Sequence, residues 1–248
     1  MTGSKAEEFA ALHVPGKPLV LFNIWDPGSV VAVAGSGASA LATGSWGVAG
    51  AFGYKDGETL PLDLVCDNAM RILRVVDLPL TVDLEAGYGQ DAAAVGESVA
   101  RVAALGIAGI NLEDKDPATR ILFDTATQCQ RIAAAARSDI FINARCDLFI
   151  TTAPDDHDEA LVDAAIERAH AYADAGAGGL FLPFLQKPAL IERACAASPL
   201  PVNILMRAGC PDHAALAGLG VGRISHGHGP WADAMDWLAG EARKIYEV

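Results

Sequence analysis

Short runs of aliphatic and β-branched residues alternate with longer, alanine-rich segments along the chain. The short runs predict buried strands, and the longer segments predict helices with one apolar face. The predicted strands are residues 19–24, 39–43, 79–83, 108–112, 140–144, 179–182, 201–204 and 222–225. The predicted helices are residues 28–36, 62–76, 91–104, 125–137, 156–175, 187–197, 212–218 and 231–246.

This alternation of strand and helix predicts the fold. A helix between consecutive strands makes them parallel, and eight such units close a sheet into a (β/α)8 barrel, the TIM barrel of the α/β class. The 248 residues suit one barrel, so we expect a single domain over 1–248 with a short C-terminal helix at 231–246. An open doubly wound sheet is the alternative. However, no GxGxxG pattern directly follows the first strand, and the GSG at 35–37 is better explained as a helix stop.

Charge and composition exclude several kinds of partner. The chain has 31 acidic and 18 basic residues, and its formal charge of −13 repels phosphate backbones and anionic lipids. We therefore expect no nucleic-acid or membrane partner. No apolar run approaches the roughly 20 residues of a membrane-spanning helix, the first residues lack a signal peptide's apolar core, and the five cysteines show no CxxC pairing. These features predict a cytoplasmic protein with reduced thiols.

Polar residues gather at the carboxyl ends of the predicted strands, where TIM barrels place their ligand sites. They are Asn23, Trp25 and Asp26 after the first strand, Ser45, Trp46 and Gly47 after the second, Asp83 and Glu85 at the third, Glu113 at the fourth, Asn143 and Arg145 at the fifth, Asn203 in the seventh, and Ser225, His226 and His228 at the eighth.

Three of these residues predict a metal site. Asp83 and Glu85 are two positions apart and should point the same way, and Glu113 comes from the neighbouring strand. Carboxylates brought together this way raise one another's pKa unless a cation lies between them. Oxygen-only ligands select a hard ion, so we expect Mg²⁺, with Mn²⁺ as a substitute. The alternative is that each acid is a solvated loop residue or an ion-pair partner of Arg145 or Lys115.

Seven segments, in order, resemble the isocitrate lyase and phosphoenolpyruvate mutase superfamily. They are NIWDPGS at 23–29, ATGSWGVAGAFGYKDGE at 42–58, VDLEAGYG at 82–89, INLED at 110–114, INARCDLFI at 142–150, GGLFLPFL at 178–185 and PVNILM at 201–206. The resemblance implies Mg²⁺ held directly or through water by Asp83, Glu85 and Glu113. It also implies catalytic roles for Arg145, Asp56 and Glu113, with Arg145 clamping the oxygen that becomes an enolate.

The same resemblance implies a substrate site. The substrate carboxylate would lie on backbone amides, and other side chains would complete the pocket wall. The implied substrate-binding residues are Trp25, Asp26, Ser45, Trp46, Gly47 and Asn203. The implied ligand is a small 2-oxo or 2-hydroxy acid, and the implied assembly is a homodimer or homotetramer.

One departure narrows the expected reaction. Relatives that cleave isocitrate or methylisocitrate carry a Lys-Lys-Cys-Gly-His loop after the fourth strand, but here 114–131 read DKDPATRILFDTATQCQR, and Cys129 falls in a predicted helix. We expect a Mg²⁺-dependent lyase or decarboxylase that cleaves a C–C bond next to a 2-oxo acid, with an oxaloacetate-like substrate. The alternatives are P–C chemistry of the phosphonopyruvate hydrolase or phosphoenolpyruvate mutase type, and a non-catalytic metabolite-binding barrel.

Other residues suggest different chemistry less strongly. His226 and His228 lie close on one loop, but without a third ligand they are better explained as loop contacts, or as a phosphate contact at the eighth strand. Ser45 lies outside any GxSxG turn and is not expected to be a nucleophile.

Overall fold

A computed structural model describes residues 4–246 and places eight parallel strands in one sheet. The strands are β1 (Leu19–Leu21), β2 (Leu41–Ala42), β3 (Leu80–Asp83), β4 (Gly109–Glu113), β5 (Phe141–Arg145), β6 (Gly179–Leu182), β7 (Val202–Leu205) and β8 (Arg223–Ser225). Consecutive strands pair with each other from β2 through to β8, and β1 pairs with β8.

The helices surround this sheet. They are α1 (Lys5–Ala11), α2 (Pro27–Gly35), α3 (Ser45–Ala51), α4 (Leu62–Leu73), α5 (Ala92–Ala103), α6 (Thr125–Ala135), α7 (Leu148–Thr151), α8 (Glu159–Asp174), α9 (Pro188–Ala197), α10 (His213–Gly218) and α11 (Gly229–Tyr246), with a 3₁₀ turn at Pro154–Asp156. None of the helices in 4–246 is long and apolar enough to cross a membrane.

The barrel closes between its first two strands. The backbone N–H of Ile24 donates to the carbonyl of Ala42 at 2.8 Å, and Ile24 and Thr43 form a parallel bridge. The predicted eight-stranded TIM barrel is therefore confirmed, although β1 and β2 are shorter than the predicted 19–24 and 39–43. The helix stop at GSG is also confirmed, because Gly37 has a φ of +94° just after α2.

Two apolar layers hold the barrel together. Outward-facing side chains of the strands pack under the helices in one large cluster that includes Leu41, Ile110 and Ile204. A smaller cluster fills the barrel interior and consists of Phe9, Leu19, Leu21, Ala40, Ala42, Ala108 and Phe141. Because Phe9 belongs to α1, this helix closes the amino-terminal end of the barrel and leaves the other end open for a site.

The sequence pattern missed α3 because its residues, SWGVAGA, have poor intrinsic helix propensity. Tertiary packing explains the helix. A Cβ at Gly50 would lie 2.7 Å from the ring of Trp231, and one at Gly47 would lie 3.1 Å from the Cβ of Trp231. Glycine at both positions therefore lets α3 approach the first turn of α11 closely.

Helix α11 packs little against its own barrel. Of its residues, only Pro230 is buried, while Trp237 is 66% exposed and Leu238 is 53% exposed. The side chains of Val20, in β1, and of Phe22, just after it, are also exposed. An apolar helix face and an apolar stretch of the barrel wall are thus both left uncovered in the single chain.

Candidate active site

A cavity of about 220 Å³ opens at the carboxyl ends of the strands. Its lining includes five residues that the sequence predicted for the site: Ser45, Trp46, Asp56, Asp83 and Arg145. These residues are distributed over the ends of β2, β3 and β5 and the loop after α3. The fold therefore brings these five predicted groups to one opening.

Asp83 lies at the centre of the acidic groups. Its Oδ2 accepts hydrogen bonds from the backbone N–H and the hydroxyl of Ser45, at 3.1 and 2.9 Å. Its Oδ1 accepts one from the amide of Asn111 at 3.3 Å. The negative charge of Asp83 also contributes to raising the pKa values of Asp56 and Glu85. Asp83 thus contacts Ser45 on one side and Asn111 of the barrel interior on the other, and its charge acts on the neighbouring acids.

Glu85 lies just beyond β3 in a left-handed conformation, with a φ of +50°. Its Oε2 accepts the backbone N–H groups of Gly57 at 2.7 Å and Glu58 at 2.8 Å. Burial, followed by the charges of Asp56 and Asp83, raises the pKa of Glu85 to about 8. Glu85 therefore ties the loop after α3 to the end of β3, and its charge is unfavourable without a nearby cation.

Asp56 is on that same loop. More than a third of its surface is exposed, but its carboxyl is surrounded by protein groups, and burial raises its pKa. The nearby hydroxyl of Ser45 acts in the opposite direction, and so do the charges of Arg145 and Arg120. Asp56 thus faces both the acidic centre and the cations of the cavity.

Arg145 forms the positive side of the site. Its guanidinium pairs with Glu113 and donates from Nε to Asp147 at 2.6 Å. Lys115 pairs with the second carboxylate oxygen of Asp147. Burial raises the pKa of Glu113, while the charge of Arg145 opposes that shift. The arginine is consequently held rigidly by two carboxylates, with its side chain only 17% exposed.

These residues suit Mg²⁺ by the chemistry of their donor atoms. Asp56, Asp83, Glu85 and Glu113 offer carboxylate oxygens alone, and burial raises the pKa values of Asp56, Glu85 and Glu113. Within the described part of the chain, no three acid, histidine or cysteine side chains stand close enough to share an ion directly. Glu113 pairs with Arg145 instead. The arrangement fits a hydrated ion held partly through water better than one enclosed by three carboxylates.

Six predicted residues lie outside this cavity lining: the two glutamates already described, Glu85 and Glu113, and four others. Asp26 caps α2, where its carboxylate accepts the N–H of Ser29 at 2.7 Å, and Trp25 packs beside it against the core. Gly47 lies under Trp231, and Asn203 is buried inside the barrel, hydrogen-bonded to Ser225. Their roles in substrate binding remain predictions.

The lining also includes residues outside the predicted set of site residues. Asn23 had been singled out at the end of the first strand, whereas Asn111, Lys115, Arg120 and Phe184 had been given no role in the site. Asn111 was visible as a polar residue within an apolar strand, a pattern that indicates an inward position in a barrel. Arg120 gave no such signal, because it belongs to the loop between β4 and α6, which carries no periodic pattern.

The two histidines of the last strand's loop face different ways. His228 lines the cavity, and its ring lies against that of Trp46 with centroids 5.2 Å apart. His226 instead contacts the rings of Phe22 and His213. Cys129 is in α6, where its Sγ donates to the carbonyl of Ala171, so it is not directed at the site.

The fold and these residues together define a TIM-barrel enzyme site built from carboxylates facing a buried arginine. The chain belongs to the phosphoenolpyruvate phosphomutase family, whose model matches residues 9–246. The predicted superfamily is confirmed, and so is the prediction of an enzyme of the carbon–carbon lyase type.

Three relatives show the range of the family. A crystal structure of a candidate phosphonomutase from Burkholderia cenocepacia J2315 is 49% identical, with a TM-score of 0.94 over 97% of this chain and 98% of that chain. The 2-methylisocitrate lyase of Escherichia coli (strain K12) is 30% identical over 214 residues, which are 77% of this chain and 70% of that protein. A phosphonopyruvate hydrolase in complex with oxalate and Mg²⁺ shares the fold, with a TM-score of 0.86 at 22% identity, over 99% of this chain and 88% of that chain.

Proposed function

We propose that the chain is a Mg²⁺-dependent lyase or decarboxylase that cleaves a C–C bond next to a 2-oxo carboxylate and produces a pyruvate-like enolate. The observation that carries the proposal is the acidic centre at Asp83 lying across the same cavity from the buried guanidinium of Arg145. An oxaloacetate-like diacid is the substrate that we propose first.

Each group has a role in this proposal. Mg²⁺, which Asp83, Glu85 and Glu113 would hold directly or through water, would supply positive charge at the 2-oxo acid end of the substrate. Arg145 stabilises negative charge as it develops on the enolate oxygen, and its two carboxylate partners keep it from reorienting. Rigidity matters because a charge that is already in place needs no reorganisation during the reaction.

The start of α3 is the proposed place for the substrate carboxylate. The first backbone N–H groups of a helix have no partner within the helix. The N–H of Ser45 is taken by Asp83, which leaves those of Trp46 and Gly47 for a ligand. Asp56, across from them on the next loop, is proposed as the catalytic carboxyl that exchanges a proton with the reacting atoms.

A direct assay tests this proposal. Pyruvate release from oxaloacetate should require Mg²⁺, stop on adding EDTA, and return when Mg²⁺ or Mn²⁺ is restored. Asp83→Asn and Arg145→Gln should lower kcat by at least about 100-fold. Asp67→Asn, on the exposed face of α4, is the matched control and should behave as the unchanged protein. Metal-independent turnover, or no turnover of any 2-oxo or 2-hydroxy diacid, would refute the proposal.

P–C chemistry is the second candidate. It is favoured by the 49% identity to the candidate phosphonomutase, which extends over nearly the whole of both chains. Release of phosphate from phosphonopyruvate, or its conversion to phosphoenolpyruvate, would identify this reaction. A third possibility is a barrel that binds a metabolite without catalysis. It would be supported if the unchanged protein showed no detectable reaction and Glu85→Gln abolished metabolite binding.

We also propose a homodimer or homotetramer in the cytoplasm. The exposed apolar face of α11, with Trp237 and Leu238, supports an assembly of copies, and the free thiols of the five cysteines suit a reducing compartment. Light scattering on the full chain tests the assembly. Trp237→Glu should shift the mass toward the monomer, and an unchanged mass would count against this surface.

A further inference from the structure

The loop between β4 and α6 presents one cation to the mouth of the cavity. Asp116 shapes this loop by accepting the backbone N–H groups of Ala118 at 2.9 Å and Thr119 at 2.7 Å. Lys115 and Leu122 form an antiparallel bridge across it. Arg120, near its tip, has a φ of +64°, which is uncommon for a side-chain-bearing residue, and it lines the cavity. The loop is therefore folded so that Arg120 reaches the site.

The cations of the cavity differ in their partners. Lys115 and Arg145 are mostly buried, and each pairs with Asp147 within 4 Å. Arg120 is exposed, and among the described residues no carboxylate lies within the 4 Å of an ion pair with it. The deep cations are thus paired with protein carboxylates, while the guanidinium at the mouth has only Asp56 nearby, beyond ion-pair distance, and can bind an incoming anion.

Part of the wall of this cavity is apolar. Ile150, Phe181, Phe184 and Leu205 line the cavity together with Arg120. An apolar wall with one guanidinium binds a small ligand that is hydrocarbon along its middle and anionic at its outer end. The inner end of the same ligand meets Asp83 and Arg145, where the proposed 2-oxo carboxylate is held.

We propose that Arg120 is a specificity-determining residue that binds a second carboxylate of the substrate, at the end facing the mouth of the cavity. The inference rests on the proposed function, because it takes the 2-oxo acid end to be held at the acidic centre. It identifies the substrate class as small dicarboxylates in preference to monocarboxylates.

This placement also bears on which bond breaks. When a carboxylate leaves as CO₂, the electrons of the broken C–C bond pass to the enolate and the departing group loses its negative charge. A guanidinium bound to that group would stabilise the substrate more than the transition state and would slow the reaction. Arg120 is instead suited to a second carboxylate on a fragment that leaves as an aldehyde or ketone. In that step the fragment's hydroxyl gives its proton to Asp56, its C–O bond becomes C=O, the electrons of the broken C–C bond pass to the enolate, and the carboxylate keeps its charge. Within the proposed function, Arg120 therefore favours this lyase reaction over decarboxylation of oxaloacetate.

A pair of non-reacting ligands tests the inference by calorimetry in saturating Mg²⁺. 2-Oxoglutarate and 2-oxopentanoate have the same chain length and the same 2-oxo acid end, but only the first has a far carboxylate. Arg120→Gln should weaken 2-oxoglutarate binding about tenfold and leave 2-oxopentanoate within about twofold, because one charge-assisted contact at an exposed site is lost. Arg120→Lys should bind 2-oxoglutarate with an affinity between those of the unchanged protein and Arg120→Gln. Arg137→Gln, exposed beyond the end of α6 and away from the cavity, is the matched control.

The possible results separate the two proposals. If the unchanged protein binds both acids, and Arg120→Gln affects both equally or neither, the inference is overturned while the proposed function stands. If the unchanged protein binds neither acid, the inference is overturned, while the proposed function is decided separately by the pyruvate-release assay. Phosphonopyruvate serves as a third ligand. If Arg120→Gln weakens only its binding, the second group is a phosphonate, and the inference of a carboxylate is wrong.

Discussion

Replacing Glu85 with glutamine gives the sharpest test of the acidic centre. The pKa of Glu85 is raised from 4.5 to about 8, chiefly by burial and then by Asp56 and Asp83. Between these pH values the folded chain holds a proton on Glu85 that the unfolded chain has released. Stability without metal should therefore fall as pH rises, by about 1.4 kcal/mol per pH unit for one proton and by at most about 5 kcal/mol over the window.

Glutamine keeps a carbonyl oxygen that can accept the N–H groups of Gly57 and Glu58, but it has no proton to lose. Urea unfolding in EDTA should show Glu85→Gln close to the unchanged protein at pH 5 and more stable than it at pH 8. Adding Mg²⁺ at pH 8 should stabilise the unchanged protein and have little effect on the variant, because a bound ligand stabilises only the state that binds it.

The control is Glu192→Gln, a glutamate on the exposed side of α9. It should leave the dependence of stability on pH, and the response to Mg²⁺, as they are in the unchanged protein. If the free energy of unfolding depends on pH in the same way in Glu85→Gln and in the unchanged protein from pH 5 to 8, the pKa of Glu85 is not raised. An equal Mg²⁺ response in both proteins would remove Glu85 from the metal site.

Three further changes test other parts of the structure. Arg145→Lys keeps the charge but loses the planar fork, so kcat should fall about 100-fold or more in steady-state assays while the melting temperature changes little. Tyr172→Phe removes a hydroxyl that donates to a buried carboxylate at 2.8 Å, and unfolding in urea should show a loss of about 2 kcal/mol without a change in KM. Gly50→Ala should destabilise by about 1–2 kcal/mol through its clash with Trp231, whereas Gly35→Ala, which meets nothing within 4 Å, should stabilise slightly.

Each of these has a result that would contradict it. An Arg145→Lys enzyme with full activity would show that only the charge matters at that position. A raised KM in Tyr172→Phe would place the tyrosine in the site rather than in the supporting structure. Equal effects of alanine at Gly50 and Gly35 would mean that α3 and α11 do not pack as described.

The sequence pattern predicted the barrel because eight short strands, of four to six residues each, recur with a helix after each. It failed at α1, α3 and α7, which are short segments without a periodic apolar face. Helix α3 forms where its glycines allow contact with Trp231, which lies about 180 residues further along the chain. Local propensity does not contain a contact of that kind.

For the site, the sequence pointed to Asp83, Glu85, Glu113 and Arg145 because charged residues at the ends of apolar strands are unfavourable without a role. Only the tertiary structure shows which groups these four side chains contact. Glu113 pairs with Arg145, and Glu85 binds two backbone amides of a neighbouring loop. Pairing depends on distances between strands, which a linear pattern does not specify.

The order of elements and the residue types at the strand ends were thus determined by the sequence alone, since side-chain alternation and apolar periodicity are local properties of the chain. The tertiary structure decided which acids share an environment, that Trp25 and Asp26 support α2, and that Arg120 reaches the cavity from an irregular loop. The physical reason is that burial and electrostatic interaction depend on the spatial neighbours of a group, and these come from distant parts of the chain.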